Sequence, residues 1–270
     1  MFIILTVILI IMATKPIATK DKKSSTKTTS KSKNVKKSQI GLVKNDSWLE
    51  PFENAIVGRH QHVLDKLNEL TNNGKISLSE FASGHLYFGL HKTEKGWTLR
   101  EWAPNATRIV LVGDFSNWEE RPEYELKQLA GGVWEKKMPR KAMKHGQHFK
   151  MKVYWKGGSG ERVPAWARRV VQDEATKIFS AQVWDPQEQY VFKNKKFVPK
   201  RTPLLIYECH IRMAQEEEKV GTFEEFRLNV LPKIADLGYD TIQIMALQEH
   251  PYYGSFGYQV SNFYALSSRF

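Results

Sequence analysis

The stretch Asp114-Phe115-Ser116-Asn117-Trp118 places an indole beside a side-chain amide on a tight connection. Aromatic faces stack on the apolar face of a pyranose, while amides and ammonium groups catch its hydroxyls. Trp118, Asn117, Trp102, Lys127 and Trp134 are the residue types for that chemistry. Spacing alone leaves a second account open, in which these tryptophans fill the core of a small sandwich. Glu249-His250 invites an acid/base assignment. Adjacent residues in extended chain point to opposite sides, however, and one carboxylate does not suffice to break a glycosidic bond. A structural or orienting role is therefore expected for this pair, and equally for Glu208 and His210.

The elements that must position these groups fall into three textures. Ile56, Val57, Val63, Leu64, Leu67 and Leu70 share one helical face, and Asn72-Asn73-Gly74 supplies a stop, predicting a helix near 52–71. Ser77-Leu78-Ser79-Glu80 predicts a capping box for a short second helix with Phe81 as its apolar anchor. From 84 to 200 the pattern is that of short strands and turns. Alternation is clearest over His148 to Trp155, with further strands expected at Trp97–Trp102, Arg108–Val112, Val133–Met138 and Gln189–Phe192.

After Pro203 the texture becomes that of a β-α-β unit. Leu204–Glu208 is a strand, and Gly221-Thr222-Phe223-Glu224-Glu225 opens a helix with a buried stripe of Phe223, Phe226, Val230, Leu231, Ile234 and Leu237. Pro232 should kink that helix and Gly238 end it, before a second strand at Thr241–Leu247 reached by a right-handed crossover.

The net charge of +12 suggests a nucleic-acid binder until it is located. Thr14 to Asn45 holds ten Lys and one Asp, so this Ser/Thr-rich tail carries +9 of the total. It has too little apolar surface to offset its ordering entropy, and a disordered, solvated tail without nucleic-acid binding is expected. Phe2 to Ala13 is an apolar run long enough for a signal-peptide core and too short for a comfortable membrane span. Cys209 is the single cysteine, which excludes an intramolecular disulfide and a thiolate metal cluster. A reducing, cytoplasmic setting fits this count; a secretory one is the alternative if the leader functions.

Three pieces in order, Glu101-Trp102-Ala103-Pro104, Gly113 to Trp118, and Gly131-Gly132-Val133-Trp134, resemble the glycogen-binding sandwich module that precedes branching-enzyme barrels. Downstream, Tyr207-Glu208-Cys209-His210, Asn229-Val230-Leu231-Pro232 and the run from Glu249 through Gly257-Tyr258-Gln259 to Phe270 resemble the first strand, first helix and second loop of the alpha-amylase superfamily, in the form found in eukaryotic-type glycogen and starch branching enzymes. The resemblance covers Trp48 to Phe270. Cys209 and Arg212 depart from it, standing where the family tends to have a small hydroxyl residue and Gly.

The resemblance implies a multidomain chain: an apolar leader and tail over 1–45, a helical preface over 46–83, an all-β immunoglobulin-like sandwich over 84–200, and the first βαβ unit of a truncated (β/α)8 TIM barrel over 201–270. It implies glucan contacts at Trp102, Ala103, Pro104, Trp118 and the Gly131-Gly132 turn, with Asn117 and Lys127 nearby, and with Trp97 and Trp134 in the core. Loops after barrel strands line the active face, so Tyr258 would stack beneath a sugar and Gln259 would bond its hydroxyls. The implied activity is retaining transglycosylation, which cleaves an α-1,4 link and passes the segment to a 6-hydroxyl. No metal or organic cofactor is implied, and a monomer is expected. A complete barrel takes roughly 250 residues, and the nucleophile Asp and acid/base Glu of the family sit on later strands. The chain as given is therefore expected to bind glucan at most. A non-catalytic glucan-binding protein and a part of a debranching or hydrolytic enzyme are the alternatives.

Overall fold

The structure, a computed structural model, describes residues 41–199 and 203–270. The apolar run Phe2 to Ala13 and most of the Lys-rich tail lie outside the described residues, together with the expectations attached to them. Two compact units divide the described chain, one over 41–83 and one over Gly84–Phe270.

In the first unit, the last five residues of the stretch expected to be disordered form a short helix, α1 (Gly41–Asn45), because Val43 finds a buried site. Helix α2 (Glu53–Leu70) lies where the periodicity predicts it, but its apolar face is not covered: no residue of α2 is buried. Helix α3 (Leu78–Phe81) starts at the expected capping box. Ser77 Oγ accepts from the Glu80 N–H at 3.1 Å, and Glu80 accepts the Ser77 N–H at 2.7 Å in return. Phe81 does not anchor it, since its ring stays exposed.

The second unit opens with one turn of helix, α4 (Gly84–Tyr87), and continues as a two-sheet sandwich. One sheet has the order β1-β2-β5-β4, from β1 (Gly89–Thr93), β2 (Gly96–Trp102), β4 (Lys127–Gln128) and β5 (Val133–Met138). The other has the order β3-β6-β9-β8, from β3 (Ala106–Gly113), β6 (His148–Trp155), β8 (Val170–Gln172) and β9 (Phe179–Gln182), with β7 (Gly158–Arg162) also on β6. Alternation puts Trp97, Leu99 and Trp134 of the first sheet against Ile109, Leu111, Phe149 and Met151 of the second in one core. Trp97 and Trp134 are core residues, as expected.

Gln189–Phe192 forms no strand. Tyr190, Val191 and Phe192 are consecutive apolar residues, so a strand there would have no single face to bury, and all three are exposed.

Beyond the sandwich, β10 (Ile206–His210) pairs in parallel with β11 (Thr241–Met245), Ile206 opposite Thr241 and His210 opposite Met245. Between them lie α5 (Phe223–Glu225), a π-turn over Phe226–Val230, and α6 (Leu231–Asp236). The π-turn accommodates Pro232, which has no N–H to give and whose ring crowds the preceding turn; the Leu231 N–H reaches back to Phe226 O. Phe226, Leu231 and Ile234 pack on Cys209 and Ile242, whereas Leu237 is exposed, falling past the helix end just before Gly238. The strand expected to reach Leu247 stops at Met245, because Ala246 takes a left-handed conformation (φ 57°). The chain then makes a small antiparallel pair from β12 (Gln248–Glu249) and β13 (Asn262–Leu266), which the sequence pattern did not announce.

Candidate functional site

Strand β2 runs out of the core at Trp102, whose register partner on β5 is Val133. Inward positions Trp97, Leu99 and Glu101 alternate with outward Arg100 and Trp102, and the Trp102 indole is 58% exposed. Its Nε1 donates to Gly131 O at 3.0 Å, which fixes the ring over the turn leading into β5. The next residue ties the same two segments: Ala103 N donates to Gly132 O at 2.9 Å, and Trp134 Nε1 donates to Ala103 O at 3.0 Å. Gly131 and Gly132 both have positive φ (73° and 78°), and a Cβ on Gly132 would stand 2.7 Å from Pro104 Cβ. Trp102, Ala103, Pro104, Gly131 and Gly132 therefore form one surface, built by a backbone approach that only glycine permits.

Lys127 lies on the outer face of the same sheet, two strands from β2, opposite Glu135 on β5. Glu135 is already bonded to Arg100 at 2.8 Å and Lys137 at 3.2 Å. The Lys127 ammonium has no hydrogen bond or ion pair among the described residues and remains available to a ligand.

Sequence reading treated Glu101 only as part of a motif. It is buried and receives two backbone donors, Trp102 N at 3.1 Å and Ala165 N at 2.8 Å. Burial pushes its carboxyl above the usual range, against the pull of those two bonds. The signal was present in the pattern, since Glu101 occupies the third inward position after Trp97 and Leu99, where a carboxylate must find donors.

Asn117 and Trp118 lie elsewhere, on the connection leaving β3 in the opposite sheet. Both are left-handed (φ 54° and 62°), and Trp118 is 41% exposed. Trp118 Nε1 donates to Asp114 Oδ1 at 3.0 Å, Asp114 Oδ2 accepts His148 N at 2.7 Å, and Lys150 Nζ lies 6.0 Å from the ring centroid. The structure thus groups the first five expected contacts and leaves Trp118 as a separate, equally well-held indole.

Tyr258 and Gln259 lie on the loop between β12 and β13, and Tyr258 is 81% exposed, with no ring packed against it among the described residues. Arg212, the residue noted as unusual, holds the base of this loop: its guanidinium is 3.9 Å from the Tyr253 ring centroid and 5.5 Å from that of Phe256. Glu249 is fully buried, with its two oxygens accepting His250 N at 3.1 Å and Ser268 N at 2.7 Å. Glu208 accepts from Gln243 Nε2 at 3.1 Å across the β10–β11 pair. His210 Nδ1 accepts Arg212 N at 3.2 Å, and burial, with Arg212 and His250 adding to it, lowers its affinity for a proton. These groups hold strands and loops, in line with the orienting role expected of them.

Residues 87–167 match the carbohydrate-binding module 48 family (isoamylase N-terminal domain). The full chain is 41% identical over 237 residues to a 1,4-alpha-glucan-branching enzyme of Dictyostelium discoideum, covering 85% of this chain and 34% of that one. A second, from Yarrowia lipolytica, is 40% identical over 241 residues, covering 86% and 34%. The likeness is to 1,4-alpha-glucan-branching enzymes. This chain spans about a third of the length of the curated relatives it matches. Among solved structures, a putative alpha amylase from Salmonella typhimurium superposes with a TM-score of 0.55 at 19% identity, covering 68% of this chain and 28% of that one. The pullulanase SAP of group B Streptococcus, in complex with maltotetraose, gives 0.52 at 18%, covering 67% and 28%. At those identities the likeness is one of fold.

Proposed function

We propose that this protein is part of a 1,4-alpha-glucan-branching enzyme and that the Trp102–Gly132 surface, with Lys127 beside it, is where its sandwich holds the glucan. The observation that carries this is the exposed Trp102 indole, pinned through Nε1 to Gly131 O and lying within the segment that matches a carbohydrate-binding family. A pyranose would stack on the indole face, and the Lys127 ammonium would donate to its hydroxyls. Asn117 and Trp118 would offer a separate contact on the opposite sheet.

In this reading β10, α5, α6 and β11 open a (β/α)8 barrel. The whole enzyme would cleave an α-1,4 link, retain the cut segment as a covalent glycosyl-enzyme, and pass it to a 6-hydroxyl. That chemistry needs two carboxyl groups about 5–5.5 Å apart. Glu249 is unsuited to either role, with both oxygens committed to backbone N–H groups. The pair would come from strands other than β10 and β11, and the residues of this chain would bind and orient: Tyr258 beneath the sugar, Gln259 on its hydroxyls. We place the enzyme in the cytoplasm as a monomer, where a single buried thiol suits the reducing setting.

The test is glycogen co-sedimentation of the full chain beside Trp102→Ala and Trp118→Ala, each checked for folding by circular dichroism. Losing a stacking platform worth about 1.4 kcal/mol weakens retention roughly tenfold, and this is the result expected for Trp102→Ala. A folded wild-type chain that stays in the supernatant, or a Trp102→Ala variant retained like the wild type, refutes the assignment.

A further inference from the structure

The largest cavity among the described residues, about 860 Å3, opens between strand β1 and the segment after β9, at the end of β2 opposite to Trp102. Its volume is in the range of about 300–1,000 Å3 typical of small-ligand clefts. Trp97, at the start of β2, lies in its wall. Five residues of strand at about 3.3 Å each set it roughly 17 Å along β2 from Trp102.

Three aromatic rings stand at its rim without being buried: Trp184 (52% exposed), Tyr190 (78%) and Phe192 (72%). These rings are held. The Arg169 guanidinium lies 4.1 Å from the Trp184 centroid and His145 packs edge-on at 4.8 Å, yet half of the indole stays open. Tyr190 and Phe192 brace each other edge to face at 5.1 Å. Exposed aromatic area of this size in one concavity marks a binding site more often than a structural accident.

The charges of the cleft decide what kind of ligand fits. Lys92 is paired with Asp185 at 2.5 Å, Arg168 donates to His85 O at 3.2 Å, and Arg169 donates to Gln182 Oε1 at 2.7 Å. Arg140, Glu94 and Gln189 line the same cleft, and their side chains make no hydrogen bond or ion pair among the described residues. One free cation, one free anion and one free amide balance to zero and offer both donors and acceptors. That combination, beside open aromatic faces, suits a neutral polyhydroxyl chain.

We propose that this cleft is a second glucan-binding site, in which Tyr190, Phe192 and Trp184 take the apolar faces of an α-1,4-linked glucan. The proposal rests on glucan being the ligand of the Trp102 surface and adds to it. Two sites on one rigid sheet engage a branched polymer together, and the second contact raises retention by effective concentration alone.

Titration calorimetry of the full chain with maltoheptaose, a linear neutral α-1,4 oligosaccharide, tests this, with glycogen co-sedimentation beside it. The wild type binds two equivalents. The double variant Tyr190→Ala/Phe192→Ala and the single variant Trp102→Ala each bind one, and the triple variant binds none. Tyr190→Phe keeps the ring and binds two. Glycogen retention of the double variant drops roughly tenfold or more and does not change between 50 and 500 mM salt, ~tenfold in ionic strength, as befits a neutral ligand. One equivalent bound by the wild type, a double variant that binds as the wild type does, or a steep loss of binding with salt overturns the second site. Loss of binding only in Trp102→Ala removes this site and leaves the Trp102 surface standing. Loss only in the double variant does the reverse, and no binding by the wild type removes both.

Discussion

Replacing Gly132 by Ala, with Gly131→Ala as its control, separates the contact geometry of the Trp102 surface from backbone conformation. Both glycines are left-handed, at φ 78° and 73°. An L side chain in that region costs about 1–2 kcal/mol at either position. The surroundings differ. A Cβ at Gly131 meets nothing within 4 Å, whereas one at Gly132 meets Pro104 Cβ at 2.7 Å and Pro104 Cα at 2.8 Å. Forcing a methyl into packed backbone adds about 1–3 kcal/mol. The expected totals are therefore about 1–2 kcal/mol for Gly131→Ala and about 2–5 kcal/mol for Gly132→Ala. Urea unfolding followed by tryptophan fluorescence reads them. At a slope of about 2 kcal/mol per molar, the midpoints fall by roughly 0.5–1 M and 1–2.5 M. Gly132→Ala must also displace Pro104 and with it Trp102, so its glycogen retention falls while that of Gly131→Ala is kept. Equal midpoint shifts would refute the reasoning, because the Pro104 contact would then contribute nothing.

Glu101 gives a pH signature. Its folded carboxyl is raised above the ordinary value of 4.5 by burial, so the folded state holds its proton more tightly than the unfolded state, and stability falls as pH rises from 4.5 through the raised value. Urea midpoints of Glu101→Gln measured between pH 4 and 7 should lack that fall; a wild-type slope identical to the variant's would count against it. The Cys209 thiol is buried and pushed up to about 11 by burial and by Glu208, so Ellman's reagent at pH 8 should leave it unmodified until urea unfolds the chain. Rapid labelling of the folded protein would contradict this. Arg212→Ala should increase chymotrypsin cleavage in the Tyr252–Tyr258 loop several-fold without moving the urea midpoint by more than about 0.5 M, since the stacked contact is worth ~1 kcal/mol.

Elements with a clean period were legible in the sequence. Strand β5 and helix α2 stand where alternation and helical spacing put them, and both predicted capping boxes close with the expected bonds. Covering was not legible. The apolar face of α2 and the ring of Phe81 read as buried and are exposed, because a helical pattern reports which residues can face a core and not whether one is there. Short pairings were lost for a different reason. The β12–β13 pair has two residues on one side and depends on the left-handed turn at Ala246, a conformation that nothing about alanine signals. At the candidate site, the sequence announced Trp102, Gly131 and Gly132 as a motif but not that Trp118 belongs to the opposite sheet. That separation is set by strand order, which is not local.

The same architecture explains how a surface on the sandwich keeps a fixed relation to the Tyr258 loop. Glu101, next to Trp102, accepts Ala165 N at 2.8 Å. The neighbouring Pro164 O accepts Asn262 Nδ2 at 3.1 Å, a buried bond to the first residue of β13. Ala265 of the same strand is part of the sandwich core, and the Trp166 ring stacks between Phe88 at 5.2 Å and Tyr264 at 4.5 Å. Three residues separate Asn262 from Gln259, and Ser261 N is tied to Glu249 O at 2.9 Å. The loop's far end is thus anchored to the sandwich through the segment that satisfies Glu101. Burying a carboxylate beside the exposed indole carries a desolvation cost. What offsets it is the fixed placement of the 164–166 segment, and with it of β13. A glucan held at Trp102 and a sugar presented to Tyr258 would then be held by one rigid frame, so the length of chain between them is set by the fold.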